Sequence, residues 1–98
     1  APETGKKGKR VSLESSVVTV ATTATVIATG KTGASWVYLH SATGGNTVYI
    51  GPSTVTTANG LELPKGALHE VWLAEADVLY GIVATSTQPL MVMKSGGR

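Results

Sequence analysis

The chain has 98 residues, no cysteine and a formal net charge of +2. That length corresponds to one domain, and the lack of cysteine excludes disulfides, thiolate metal sites and a cysteine nucleophile. A domain of this size buries only about 60–65% of the surface of its unfolded chain, so extra stability has to come from a partner or from self-association.

Composition favours β structure. Val and Thr are abundant, and their branched side chains fit a pleated, half-buried surface. The 12 glycines and 4 prolines supply turns, while charged residues make up only 14% of the chain, too few for long solvated helices. No apolar run reaches the roughly 20 residues that span a bilayer. Ala1-Pro2-Glu3-Thr4-Gly5 is polar and lacks the apolar stretch of a signal peptide. The expectation is a protein made and used without passage through a membrane.

Taken in chain order, residues 1–15 are expected to form a flexible N-terminal arm. Lys6, Lys7, Lys9 and Arg10 cluster there around Gly8, in a segment without periodic apolar pattern. The domain proper is expected over 16–98, where Lys31, Lys65, Lys94 and Arg98 balance Glu62, Glu70, Glu75 and Asp77. Its first strands are Ser16–Val20 and Thr25–Ala28, followed by the turn Gly30-Lys31-Thr32-Gly33. Ser35–Ser41 alternates, with Val37 and Leu39 on one face and Trp36, Tyr38 and His40 on the other. After Gly44-Gly45-Asn46 comes Thr47–Ile50, with Val48 and Ile50 on one side, ended by Gly51-Pro52. Asn59-Gly60 is expected to make a tight turn with positive φ. Leu61–Leu63, Ala67–Leu73, Val78–Ala84 and Leu90–Lys94 complete about eight strands, with Thr85–Pro89 as a turn. Val37, Leu39, Val48, Ile50, Val71, Leu73 and Val92 are the expected core. Ala67–Tyr80 can also be drawn as an amphipathic helix, with Leu68, Val71, Trp72 and Glu75 near one face, but the strand reading is preferred. The predicted architecture is all-β: a small Greek-key or jelly-roll-like sandwich or barrel.

Motifs of chemistry are weak. Gly30-Lys31-Thr32 looks like the end of a phosphate-binding loop, but Thr25 stands where the first glycine belongs and no helix follows. His69-Glu70 lacks the second histidine of a zinc-peptidase helix, since that position is Leu73. The two histidines, His40 and His69, fall on different strands, and no metal or other cofactor is expected. A Ser-His-Asp set using Asp77 has no Gly-x-Ser-x-Gly elbow to support it, so no enzyme activity is expected. The basic arm could neutralise phosphates, but the rest of the domain is neutral, with no basic groove or aromatic platform to extend such a site. Nucleic acid is therefore not the expected partner.

Trp36, Tyr38 and His40 share one strand face, and Trp and Tyr are enriched at protein interfaces. With Lys6, Lys7, Lys9 and Arg10 they form the candidate protein-binding set. The competing reading reverses the strand and buries Trp36 and Tyr38 in the core.

The stretch Thr47–Gly66, reading TVYIGPSTVTTANGLELPKG, resembles a pattern common in small bacteriophage structural proteins. Val18-Thr19-Val20, Ala24-Thr25-Val26-Ile27, Trp36–Ser41, Asp77–Ala84 and Met91-Val92-Met93 are similar to the flanking strands of that family, so that most of 17–94 is covered. The basic arm, Trp36 and Tyr38 depart from the pattern. The resemblance implies a capsid decoration (cement) protein on the outer surface of the virion, made in the host cytoplasm. It also implies the major capsid protein as partner. A receptor- or glycan-binding fibre module, and a tail or neck component, are the alternatives. Self-association is expected, as a trimer first and a dimer next. No membrane contact is expected.

Overall fold

The computed structural model describes residues 13–31, 33, 35–41, 45–64 and 66–95. Eight strands make up the domain: β1 (Leu13–Val20), β2 (Thr25–Thr29), β3 (Ser35–Ser41), β4 (Val48–Gly51), β5 (Leu61–Leu63), β6 (Leu68–Leu73), β7 (Val78–Ile82) and β8 (Gln88–Ser95). Ala67–Tyr80 is thus strand and turn, not helix. The first strand begins at Leu13, three residues before the expected domain start, because its pairing with β8 runs on to Leu13 opposite Ser95. Lys6, Lys7, Lys9 and Arg10 lie outside the described residues.

The strands form two four-stranded sheets, ordered β1-β8-β3-β6 and β2-β7-β4-β5. First pairs with eighth, second with seventh, third with sixth and fourth with fifth, all antiparallel. The chain therefore behaves as one long hairpin, doubled back between β4 and β5 and rolled into two layers. This is the winding of a jelly roll. The expected sandwich is what forms, and not the barrel alternative, since the two sheets are separate and open, with no described pairing between their edge strands.

Strict alternation drives the burial. In β3, Ser35, Val37, Leu39 and Ser41 face inward and Trp36, Tyr38 and His40 outward. In β8, Gln88, Leu90 and Val92 face inward. The opposite layer contributes Ile27 and Ala28 from β2, Val48 and Ile50 from β4, Leu63 from β5 and Leu79 from β7. Six of the seven expected core residues are buried, and Val71 packs half-buried against them. In β2 the register shifts between Val26 and Ala28. The irregularity turns two consecutive side chains, Ile27 and Ala28, toward the core.

Two polar fastenings close the ends of the sandwich. At one end Gln88 is fully buried. Its Oε1 accepts the Asn46 amide at 2.6 Å, and its Nε2 donates to the Pro89 carbonyl at 3.2 Å. Asn46 Nδ2 in turn donates to the carbonyls of Thr85 (2.9 Å) and Thr87 (3.3 Å). A buried amide satisfied on both sides holds the β3–β4 and β7–β8 connections together. At the other end Lys94 of one sheet donates to the Thr29 carbonyl of the other at 2.9 Å. Glu14 lies between Lys94 and Lys31. The hydrogen bond from Lys31 is the main cause holding the Glu14 carboxyl below its ordinary range, with the charges of Lys31 and Lys94 adding to it.

Two turn expectations are corrected. Asn59-Gly60 does not adopt positive φ. Asn59 Oδ1 accepts the Thr56 amide at 2.7 Å instead, and a Cβ on Gly60 would come within 2.7 Å of Tyr49 Cβ and 2.8 Å of a Val55 methyl. The glycine is there for close approach, not for a left-handed turn. Pro89 belongs to β8 and not to the turn before it. Its described pairing is with Thr19 alone, and β3 first meets β8 at Leu90, so the missing amide of proline interrupts no described pairing with β3.

Left-handed backbone appears at Gly33 and Gly45, within the glycine turns expected from the sequence, and also at Gly66, Ala76 (φ 70°) and Ser86 (φ 60°). A Cβ at such an angle costs about 1–2 kcal/mol, partly offset in any Gly replacement by about 0.5–1 kcal/mol of backbone entropy. Ala76→Gly is therefore expected to raise stability by about 0.5 kcal/mol. A higher urea midpoint with unchanged slope checks it, and a lower midpoint would refute it.

Candidate protein-binding face

The outer surface of the β1-β8-β3-β6 sheet follows from the same alternation that fills the core. Cross-strand register sets three rows across it. One row reads Leu13, Ser95, Trp36, Trp72; the next Ser15, Met93, Tyr38, Glu70; the third Val17, Met91, His40, Leu68. Among the described residues ten large apolar side chains are exposed, and all but Val26 and Leu61 stand on this one face. A contiguous apolar patch of this kind exceeds what a soluble monomer ordinarily leaves in water, and such patches mark interaction sites.

Trp36, Tyr38 and His40 thus fall together, pointing outward from the central part of the sheet. Trp36 is 47% exposed and Tyr38 38% exposed, which removes the reading that buries them. Trp72 stands directly across from Trp36, so the domain does carry an aromatic cluster, contrary to the expectation from sequence. The rows contain no lysine or arginine, however, and an aromatic platform for single-stranded nucleic acid needs cations beside it. Leu13, Val17, Leu68, Trp72, Met91 and Met93 were not among the candidates. For three of them the signal was available: Leu73 and Val92 as core residues force Trp72, Met91 and Met93 outward.

The face is not flat. A shallow groove of about 740 Å³ runs over β1, β8 and β3, floored by Met91, Val92 and Met93 and walled by Val17, Tyr38 and His40. Glu70 is the one carboxylate in the rows. Its hydrogen bond with the Tyr38 phenol, and then its charge, push the phenol above its ordinary range.

The catalytic motifs dissolve into structure. A Cβ on Gly30 would lie 2.0 Å from the Ala74 carbonyl, and the Lys31 amine is engaged by Glu14. The Gly30-Lys31 turn is therefore a packing contact with an anchored lysine, not a phosphate cradle. Leu39 opposes His69 and His40 opposes Leu68, so the two histidines point to opposite faces of the sheet. The Asp77 carboxylate accepts the Ala74 amide at 3.3 Å and serves its own turn. Among the described residues no three His, Asp or Glu side chains converge as a metal site, and no helix is long and apolar enough to cross a membrane.

No protein-family model and no curated protein matches the chain. One solved structure with the same overall fold is a chain from Bacillus endospore appendages, described as a family of disulfide-linked pili. It is 16% identical, and the alignment covers 90% of this chain and 89% of that one with a TM-score of 0.52. At that identity the likeness establishes a shared fold: this chain is a small all-β sandwich of the kind seen in that appendage subunit.

Proposed function

We propose that the chain is a non-enzymatic structural protein that works by packing against other protein chains. More specifically, we propose a decoration protein bound to the outer surface of a bacteriophage capsid, bridging capsomers and stabilising the assembled shell. The observation that carries the assembly reading is the gathering of eight exposed apolar side chains on one sheet face. The resemblance of 17–94 to small phage structural domains supports the setting. A protein that binds only the assembled shell stabilises it by mass action, and repetition of the site over a lattice lets modest contacts suffice once copies are joined.

In this reading Lys6, Lys7, Lys9 and Arg10 pair with carboxylates on the shell or on a neighbouring copy. The test is co-sedimentation with purified shells, comparing the full chain with a chain lacking residues 1–12. Saturable binding of the full chain is expected. Truncation should leave the β circular-dichroism signature intact and weaken binding roughly tenfold, as four exposed ion pairs would. The deficit should shrink as salt is added. Failure of the full chain to bind assembled shells would overturn the capsid reading.

A second reading, a subunit of a fibre or filament, is favoured by the fold shared with the appendage pilus protein. With no cysteine in the chain, any such filament would be held together without disulfides. Filaments forming from the purified protein alone, seen by electron microscopy, would select it.

A further inference from the structure

We propose that two copies of this chain pack face to face through the outer surface of the β1-β8-β3-β6 sheet, related by a two-fold axis parallel to the strands. This holds whether or not the pair is carried on a phage shell. Three observations lead to it: the size of the face, its division into two unlike halves, and the position of its one carboxylate.

The eight apolar side chains, at their observed exposures, present on the order of 800 Å² together with the serines between them. A stable pair buries about 800 Å² on each partner. The face therefore has the extent of a full interface, and its centre, with Tyr38, Met91 and Met93, is apolar as interface cores are.

The two halves of the face differ in bulk. The β3–β6 half carries Trp36, Trp72, Tyr38, His40, Glu70 and Leu68, three of them aromatic, and the β1–β8 half carries no aromatic side chain, only Leu13, Ser15, Val17, Ser95 and the two flexible methionines. The groove lies mainly on the second half. A surface with a ridge on one side and a hollow on the other complements itself when half-turned about an axis along the strands. That operation lays β6 over the partner's β1 and β3 over the partner's β8. Trp72 then meets the partner's Leu13, and Leu68 meets the partner's Val17. Face-to-face sheets accept the rotation of about 30° that their twist imposes.

The carboxylate selects this axis over the other. Glu70 lies in the middle row. A two-fold perpendicular to the strands would lay β6 on the partner's β6, set each Glu70 against the partner's Glu70 and bring like charges together. The parallel axis sets Glu70 at the rim opposite the partner's Ser15, whose hydroxyl can donate to it. Closed two-fold pairing is isologous, with each contact made twice. The face thus argues for the dimer, the second choice from the sequence, over the trimer expected first.

Val17 and Leu68 are 65% and 72% exposed, so charges placed there leave the core untouched. Sedimentation equilibrium of the wild-type chain should give a dimer at tens of micromolar. Val17→Lys and Leu68→Asp each set a charge against an apolar partner side chain at two symmetry-related contacts, and should each lower self-association by about tenfold or more, with unchanged circular dichroism. An equimolar mixture of the two variants should restore a one-to-one dimer, because the parallel axis places lysine against aspartate. A wild-type monomer or trimer would overturn the proposal. A wild-type dimer unaffected by either variant would show that another face is used, and a mixture that stays monomeric would overturn the parallel axis. Shell binding is measured separately, so failure of the capsid reading leaves this result standing.

Discussion

Leu39→Ala is expected to lower the unfolding free energy by about 3–4 kcal/mol, the range for truncating a large aliphatic side chain in a core that cannot collapse. Leu39 is fully buried in β3, with β8 on one side and β6 on the other. Its neighbours across the ladder are Val92 and His69, and the second sheet closes over it with Val48, Ile50 and Leu79 in the same cluster. Two hydrogen-bonded ladders hold the β3 backbone in place, so the vacated volume stays empty. For a domain of this length each kcal/mol moves the midpoint by about 4–8 °C, so calorimetry should show a fall of roughly 15–25 °C. Tyr38→Ala, one residue away on the exposed face, serves as the control and should change stability far less. A loss under about 1 kcal/mol for Leu39→Ala would mean that the two sheets are not packed as described.

Gly30→Ala is expected to cost about 3 kcal/mol, at the upper end of overpacking penalties. The added Cβ would sit 2.0 Å from the Ala74 carbonyl oxygen and 3.2 Å from Leu73 Cβ. The backbone cannot yield freely. The Gly30 amide donates to the Asp77 carbonyl at 2.7 Å, and the Ala76 amide donates to the Gly30 carbonyl at 3.1 Å. Any shift that relieves the clash breaks one or both of these bonds and disturbs the turn in which Ala76 already holds a left-handed conformation. Urea unfolding should report the loss as a lower midpoint at similar slope. Stability within 0.5 kcal/mol of wild type would show that the approach of the two turns is not fixed.

Much of the architecture was written in period-two alternation. Ser35–Ser41 declared both a core face and an outer face, and the glycine-rich turns marked most strand limits. What escaped were features fixed by tertiary contact. Gly60 looked like a left-handed turn residue because Asn-Gly favours that conformation, yet Tyr49 and Val55 claim its missing side chain. The start of β1 at Leu13 was hidden because Leu13, Ser15 and Val17 show their alternation only on the exposed side, against a partner strand some eighty residues away in the chain. The exposed apolar face was half legible for the same reason. Trp36, Tyr38 and His40 could be grouped along one strand, but nothing local says that β6 and β8 bring Trp72, Met91 and Met93 beside them. Adjacency across strands is a property of topology, and topology here depends on pairing the first strand with the last.

That end-to-end pairing also sets how the protein bears load. The segment that leads into β1 and the segment that leaves β8 depart from the same corner, where Leu13 sits opposite Ser95. Tension applied through those two segments acts across the first rung of an antiparallel ladder, so the rungs give way one after another, as a zip does, and not together in shear. An assembly that pulled on this domain by its ends would open it at low force. Load that enters the domain anywhere else meets both sheets at once, so the corner between Leu13 and Ser95 is its mechanically weak point.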